Sequence, residues 1–127
     1  MTNLDCKIYV DASISRSQLI ETIAKLLDGL AEKNTLRVPD FEIDVLENDE
    51  FDEFRRREFP DGFLYFHYIF EIYANTDRQI QDRAALVSKI LEHLWSEGFP
   101  AVAACDYETE LPESGGYKNR SAPWPER

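Results

Sequence analysis

The sequence predicts an α+β domain in which four antiparallel strands carry two helices on one face. Two stretches with helical apolar spacing are each flanked by β-rich runs, and those runs alternate apolar with polar residues. Caps and breakers fall between them, so the order reads β-α-β-β-α-β, the split-βαβ, ferredoxin-like arrangement.

Cys6 to Asp11 alternates and is rich in β-formers, giving a first strand. Ser13, Ser15 and Ser17 offer N-caps for the helix that follows. Its apolar stripe is Leu19, Ile20, Ile23, Leu26, Leu27 and Leu30, and Asn34 is its expected stop. Phe41, Ile43 and Val45 alternate with Glu42 and Asp44 in a second strand with one wet face. Phe63 to Ala74 reads as a third strand with large apolar groups on both faces. Asn75, Thr76 or Asp77 caps a second helix whose apolar positions include Ile80, Ala84, Val87, Leu91 and Leu94. Gly98 and Pro100 end it, and Val102 to Tyr107 supplies a fourth strand.

Parity sorts the faces. Cys6, Ile8 and Val10 face the helices with Leu64, Phe66, Tyr68, Phe70 and Ile72, leaving Lys7, Tyr9, Phe63, Tyr65, His67, Ile69 and Tyr73 on the open side. That side is too aromatic for a plain wet sheet, so something is expected to cover it. In this topology the first and last strands are neighbours. Pairing Ile8 with Ala103 sets Cys6 opposite Cys105, and the two read as small, reduced, buried hydrophobes.

The 127 residues suit one domain, since domains run about 100–200 residues. We read 1–111 as a single α+β domain and 112–127 as an extended Pro/Gly-rich tail, whose Tyr117 and Trp124 either dock on the open face or stay free. Hydrophobic residues at 43% are enough for a core and exclude a disordered acidic chain. The start of the sequence lacks a cationic, then apolar, leader, and no run approaches the roughly 20 apolar residues of a membrane span, so a cytoplasmic location and no membrane partner are expected.

Ile8-Tyr9-Val10-Asp11 and Gly62-Phe63-Leu64-Tyr65-Phe66-His67-Tyr68 resemble the two signature strands of the RNA-recognition motif. That resemblance covers two short strands within the first seventy residues and implies base stacking by Tyr9, Phe63 and Tyr65. The basic opening residue of the second motif is here Asp61, and the small residue after its first aromatic is Leu64. With a formal net charge of −11 the chain repels phosphate, which disfavours nucleic acid as a partner.

Charge points instead to a basic protein partner. Phe41 to Glu53 holds seven carboxylates and no Lys or Arg, and then Arg55-Arg56-Arg57 follows, close enough to pair internally. The expected binding surface is Tyr9, Phe63, Tyr65 and His67, rimmed by Glu42, Asp44, Asp49, Glu50, Asp52 and Glu53. An immunity or inhibitor protein is the sharpest version of this non-enzymatic reading, and a homodimer burying the aromatic face is its plain rival. A second reading is a dimeric small-molecule-binding or enzymatic domain with a pocket around His67 and Tyr65. No cofactor, metal site or catalytic set is expected. Neither histidine has ligand spacing, and no nucleophile motif or phosphate-cradling loop occurs.

Overall fold

In chain order the elements are β1 (Thr2–Val10), α1 (Arg16–Leu27), β2 (Leu30–Glu32), β3 (Thr35–Val38), β4 (Phe41–Glu47), β5 (Tyr68–Asn75), α2 (Ile80–Ser96) and β6 (Ala101–Ala104). They are seen in a computed structural model that describes residues 2–75 and 77–125. The strands form one sheet of order β2-β3-β4-β5-β1-β6, antiparallel at every junction. Among the described residues the architecture is therefore α+β with two α-helices and a six-stranded sheet, where four strands were expected.

The two extra strands are a hairpin. The helical stripe that claims Leu30 actually stops earlier, because Asp28 takes a left-handed backbone (φ 52°) and its N–H returns to the Ala24 carbonyl. Aspartate tolerates this conformation better than most residues. Lys33 is also left-handed (φ 56°) at the turn that sends Thr35–Val38 back along Leu30–Glu32. At the start of α1 a capping box satisfies two end amides: Ser15 accepts from Gln18 N–H, and Gln18 accepts from Ser15 N–H.

Parity in β1 is as expected. Cys6, Ile8 and Val10 are buried with Ile43, Val45, Phe70 and Ile72, against Leu19 and Ile23 of α1 and Val87, Ile90, Leu91 and Leu94 of α2. Ile8 pairs with Ala103 in the predicted register. A bulge between Leu4 and Cys6 interrupts the alternation, so that Asp5 reaches Arg83 on α2. α2 begins at Ile80 with Gln79 as its N-cap. Of the expected caps, Asn75 instead accepts from Asp77 N–H in the preceding turn, and Thr76 lies outside the described residues. Among the described residues no helix is long and apolar enough to cross a membrane.

The third strand is the main correction. It starts at Tyr68, because Asp61–Tyr65 is a 3-10 turn whose amides close locally: Gly62 N–H donates to Glu58 O and Phe66 N–H to Phe63 O. Leu64, expected inside, is 44% exposed. Phe63 and Tyr65 thus lack the strand placement that the RNA-recognition resemblance requires. The last strand is likewise shorter than Val102 to Tyr107. Beyond Ala104 the chain turns through Glu108–Glu110 and Pro112–Gly116, so the tail is turned rather than extended at its root. Gly115 and Gly116 are buried there. A Cβ on Gly116 (φ +92°) would stand 2.8 Å from Ala101 O and 2.9 Å from the Trp95 ring, so only glycine lets the tail lie against β6.

Candidate functional site

The aromatic side of the sheet is covered at one end by the chain itself. Phe63 packs edge-on to Tyr9 at 5.2 Å, and Tyr117 packs edge-on to Phe63 at 5.7 Å. Tyr117 also donates to Asp61, Trp124 donates to Arg57 O, and the Trp124 ring meets Phe59 and Phe66. The two irregular segments, the 48–67 loop and the tail, therefore lock onto each other. Tyr9 is not left as a free stacking platform.

Asn48 anchors the loop. It is buried, its amide donates to Leu64 O and Phe66 O, and its side-chain oxygen accepts from Glu50 N–H. Asp52 accepts from the Phe54 and Arg55 amides at the head of the Arg55–Arg57 turn; the Arg55 N–H and then the Phe54 N–H hold its carboxyl below the usual range. Glu53 accepts from Arg56 and from Arg57, which lower its carboxyl in that order. Gly62 closes the unit: a Cβ there would sit 2.5 Å from Arg55 O, so the two turns touch only through glycine.

Arg56 carries this loop to the end of β1. Its Nη1 donates to Asp11 Oδ2 at 2.7 Å, while His67 Nδ1 lies 2.7 Å from Asp11 Oδ1. Asp11 is 7% exposed, and its amide donates to Pro100 O. A carboxylate can only accept, so Nδ1–H is the donor to Asp11, and Nε2 is the ring nitrogen left for another partner. Phe51 stacks on His67 at 4.1 Å between ring centres. The imidazole, about one third exposed, lines a cleft of about 220 Å³ with Glu47, Asn48, Phe51 and Tyr68. Such an arrangement fixes a base or a hydrogen-bonding nitrogen at a cleft wall. Among the described residues no three His, Cys, Asp or Glu side chains cluster as a metal site.

The residues predicted as a binding surface divide. Tyr9 and Phe63 meet each other, while Tyr65 accepts from Arg55, whose guanidinium lies over its ring. Asp52 and Glu53 are engaged within the loop, and Asp49 and Glu50 are exposed at its start. Glu42 and Asp44 lie apart on β4, facing β3: Glu42 is 3.9 Å from Arg37, and Asp44 accepts from Thr35. Sequence reasoning did not select Asp11, Asn48, Phe51 or Arg56. A signal for Asp11 existed, because it shares the parity of Lys7 and Tyr9 and extends the Val10–Tyr68 register to His67. A second, wider groove of about 790 Å³ between the end of α2 and the tail is lined by Trp95, Trp124, Glu92 and Glu113 among others.

No family model, curated protein or solved structure matches this chain.

Proposed function

We propose that the chain is a non-enzymatic binding module that engages a basic protein through its 48–67 loop, in the manner of an immunity or inhibitor protein acting in the cytoplasm. The core strands β4-β5-β1-β6, with both helices on one face, support reading the fold as a ferredoxin-like sheet extended by the β2–β3 hairpin. The observation that carries the proposal is a loop fixed on every side that still turns aromatic groups outward. Phe54 is 73% exposed and Phe51 38% exposed, beside exposed Asp49 and Glu50. Ordering a loop before binding removes part of the entropy cost of association. Aromatic anchors rimmed by acids suit a partner that is apolar at its centre and cationic around it.

The test begins with capture from native lysate at low salt, then binding measurements with the purified basic protein recovered. Phe54→Ala is expected to weaken affinity at least about 30-fold, the size of an interface hot spot. Asp49→Asn with Glu50→Gln is expected to slow association and flatten its salt dependence. Affinity unchanged by Phe54→Ala would overturn the reading, as would a chain that captures nothing and self-associates through this loop.

The Asp11–His67 pair favours a second reading, a small-ligand or enzymatic site at the 220 Å³ cleft. It predicts a ligand whose thermal stabilisation of the protein is lost in His67→Gln. A ligand that stabilises His67→Gln equally well would remove it.

A further inference from the structure

We propose that Cys6 and Cys105 form a reversible dithiol–disulfide site for low-molecular-weight disulfides, with Cys105 reacting first and Cys6 resolving. The sheet register brings them near each other: Ile8 pairs with Ala103 and Lys7 with Ala104, and Cys6 and Cys105 are the next residue on each chain segment. Opposed residues of an antiparallel pair have Cα atoms about 4.5–5.5 Å apart, inside the roughly 4.4–6.8 Å span of disulfides, and the two cysteines lie one residue beyond the last such pair. The Cys6 thiol donates to Lys7 O at 3.6 Å, and the two cysteines line the same cleft. Cys105 has just left the ladder, its amide bonded to the Glu108 carboxylate rather than to β1.

The partners are chemically unequal. Cys6 is 2% exposed; the neighbouring Cys105 thiol, then burial, push its thiol far up. Cys105 is only partly buried, and the neighbouring Cys6 thiol lowers the Cys105 thiol against the opposing effects of burial and of the Glu108 and Asp5 carboxylates. The expectation of two buried cysteines therefore holds for Cys6 alone. Both line a cleft of about 280 Å³ that also takes in Leu4, Asp5, Lys7, Ala104 and Asp106, room enough for a small disulfide to approach Cys105.

The exchange runs in two steps. Cys105 thiolate attacks one sulfur of the small disulfide; that S–S bond breaks, and the departing thiolate leaves with the electron pair and takes up a proton. Cys6 then loses its proton to solvent and attacks the Cys105 sulfur, expelling the second small thiol. Two electrons pass from the protein to the small disulfide, which becomes two thiols. The second attack is internal, so the burial of Cys6 does not prevent it. The product ties β1 to the root of the tail, next to the contact between Asp5 and Tyr107.

Oxidised glutathione is the probe. Native full-length protein incubated with it is expected to lose the mass of two hydrogens, with peptide mapping joining Cys6 to Cys105 and dithiothreitol reversing the change. Cys6→Ser, checked for folding by its thermal transition, is expected to react as fast but to stop at glutathione on Cys105. Cys105→Ser is expected to stay unmodified while native. Persistent glutathione on wild-type Cys105 would overturn the proposal, as would native protein that reacts only after denaturation. Equal reaction of native Cys105→Ser would also overturn it, since the reactive thiol would then be Cys6.

Discussion

The two ends of β1 each hold a buried carboxylate against an arginine and a titratable ring, yet they close differently. Asp5 accepts from Arg83 of α2 and from the Tyr107 hydroxyl, and its side chain is 4% exposed. Asp11 accepts from Arg56 of the 48–67 loop and pairs with His67, and its side chain is 8% exposed. Each ion pair must recover the cost of leaving water, which a third hydrogen-bonding group helps to offset. At Asp5 that group is a phenol buried to 5% exposure; at Asp11 it is an imidazole about a third exposed at a cleft. The same chemistry makes a joint between helix and sheet at one end and holds a surface loop at the other.

Removing the carboxylates should separate those roles. Asp5→Ala strands Arg83, which is 16% exposed and belongs to a core helix, so the whole fold is expected to lose about 3–5 kcal/mol in chemical denaturation. Asp11→Ala strands Arg56, but the loop can release it to water. We expect a smaller global loss, with amide exchange rising across 48–67 while α2 and β5 keep their protection. Equal global losses with no local change in exchange would erase the distinction.

Gly62→Ala tests the loop without touching either carboxylate. The new Cβ would meet Arg55 O at 2.5 Å and Arg56 O at 2.8 Å, so the Asp61–Tyr65 turn must lift from Arg55–Arg57. The expected cost is about 1–3 kcal/mol, typical of overpacking. The imidazole resonances of His67 should shift as Arg56 is dragged from Asp11. Unchanged resonances would mean that the Asp11 end is set by the sheet alone.

What was legible in the sequence follows the reach of period-2 and period-3.6 patterns. Ile8 and Val10 declared their face, and the Ile8–Ala103 register followed from topology and put Cys6 beside Cys105. The β2–β3 hairpin was hidden because Leu30 extends the α1 stripe by chance, while the true stop is a left-handed aspartate rather than a glycine. The pairing of the arginine run with the acids before it could be foreseen from charge alone. Which arginine turns inward could not, because the loop is built from side-chain-to-backbone bonds such as those of Asn48, and these leave no periodic trace. Asp11 was within reach of parity, yet an aspartate at a strand end reads as a turn former, and only its neighbours across the fold make it a site.

The smallest expected effect separates the phenol from the arginine at Asp5. Burial, and then donation to Asp5, push the Tyr107 hydroxyl well above the ordinary tyrosine value of about 10. Above that pH the unfolded chain gives up this proton while the folded one keeps it, so the native state binds more protons and stability falls as pH rises. The contribution is complete below the ordinary value and is lost progressively toward the folded one. Tyr107→Phe is expected to cost about 1.5 kcal/mol at neutral pH, the worth of one hydrogen bond to a charged group. It should also shrink the alkaline slope by one tyrosine's share; Tyr68, Tyr73 and Tyr117 are likewise raised and still contribute. Because Arg83 still faces Asp5 in this variant, the loss should stay well below that of Asp5→Ala. A Tyr107→Phe loss as large as that of Asp5→Ala would mean that the phenol, not the guanidinium, holds this end of β1 closed.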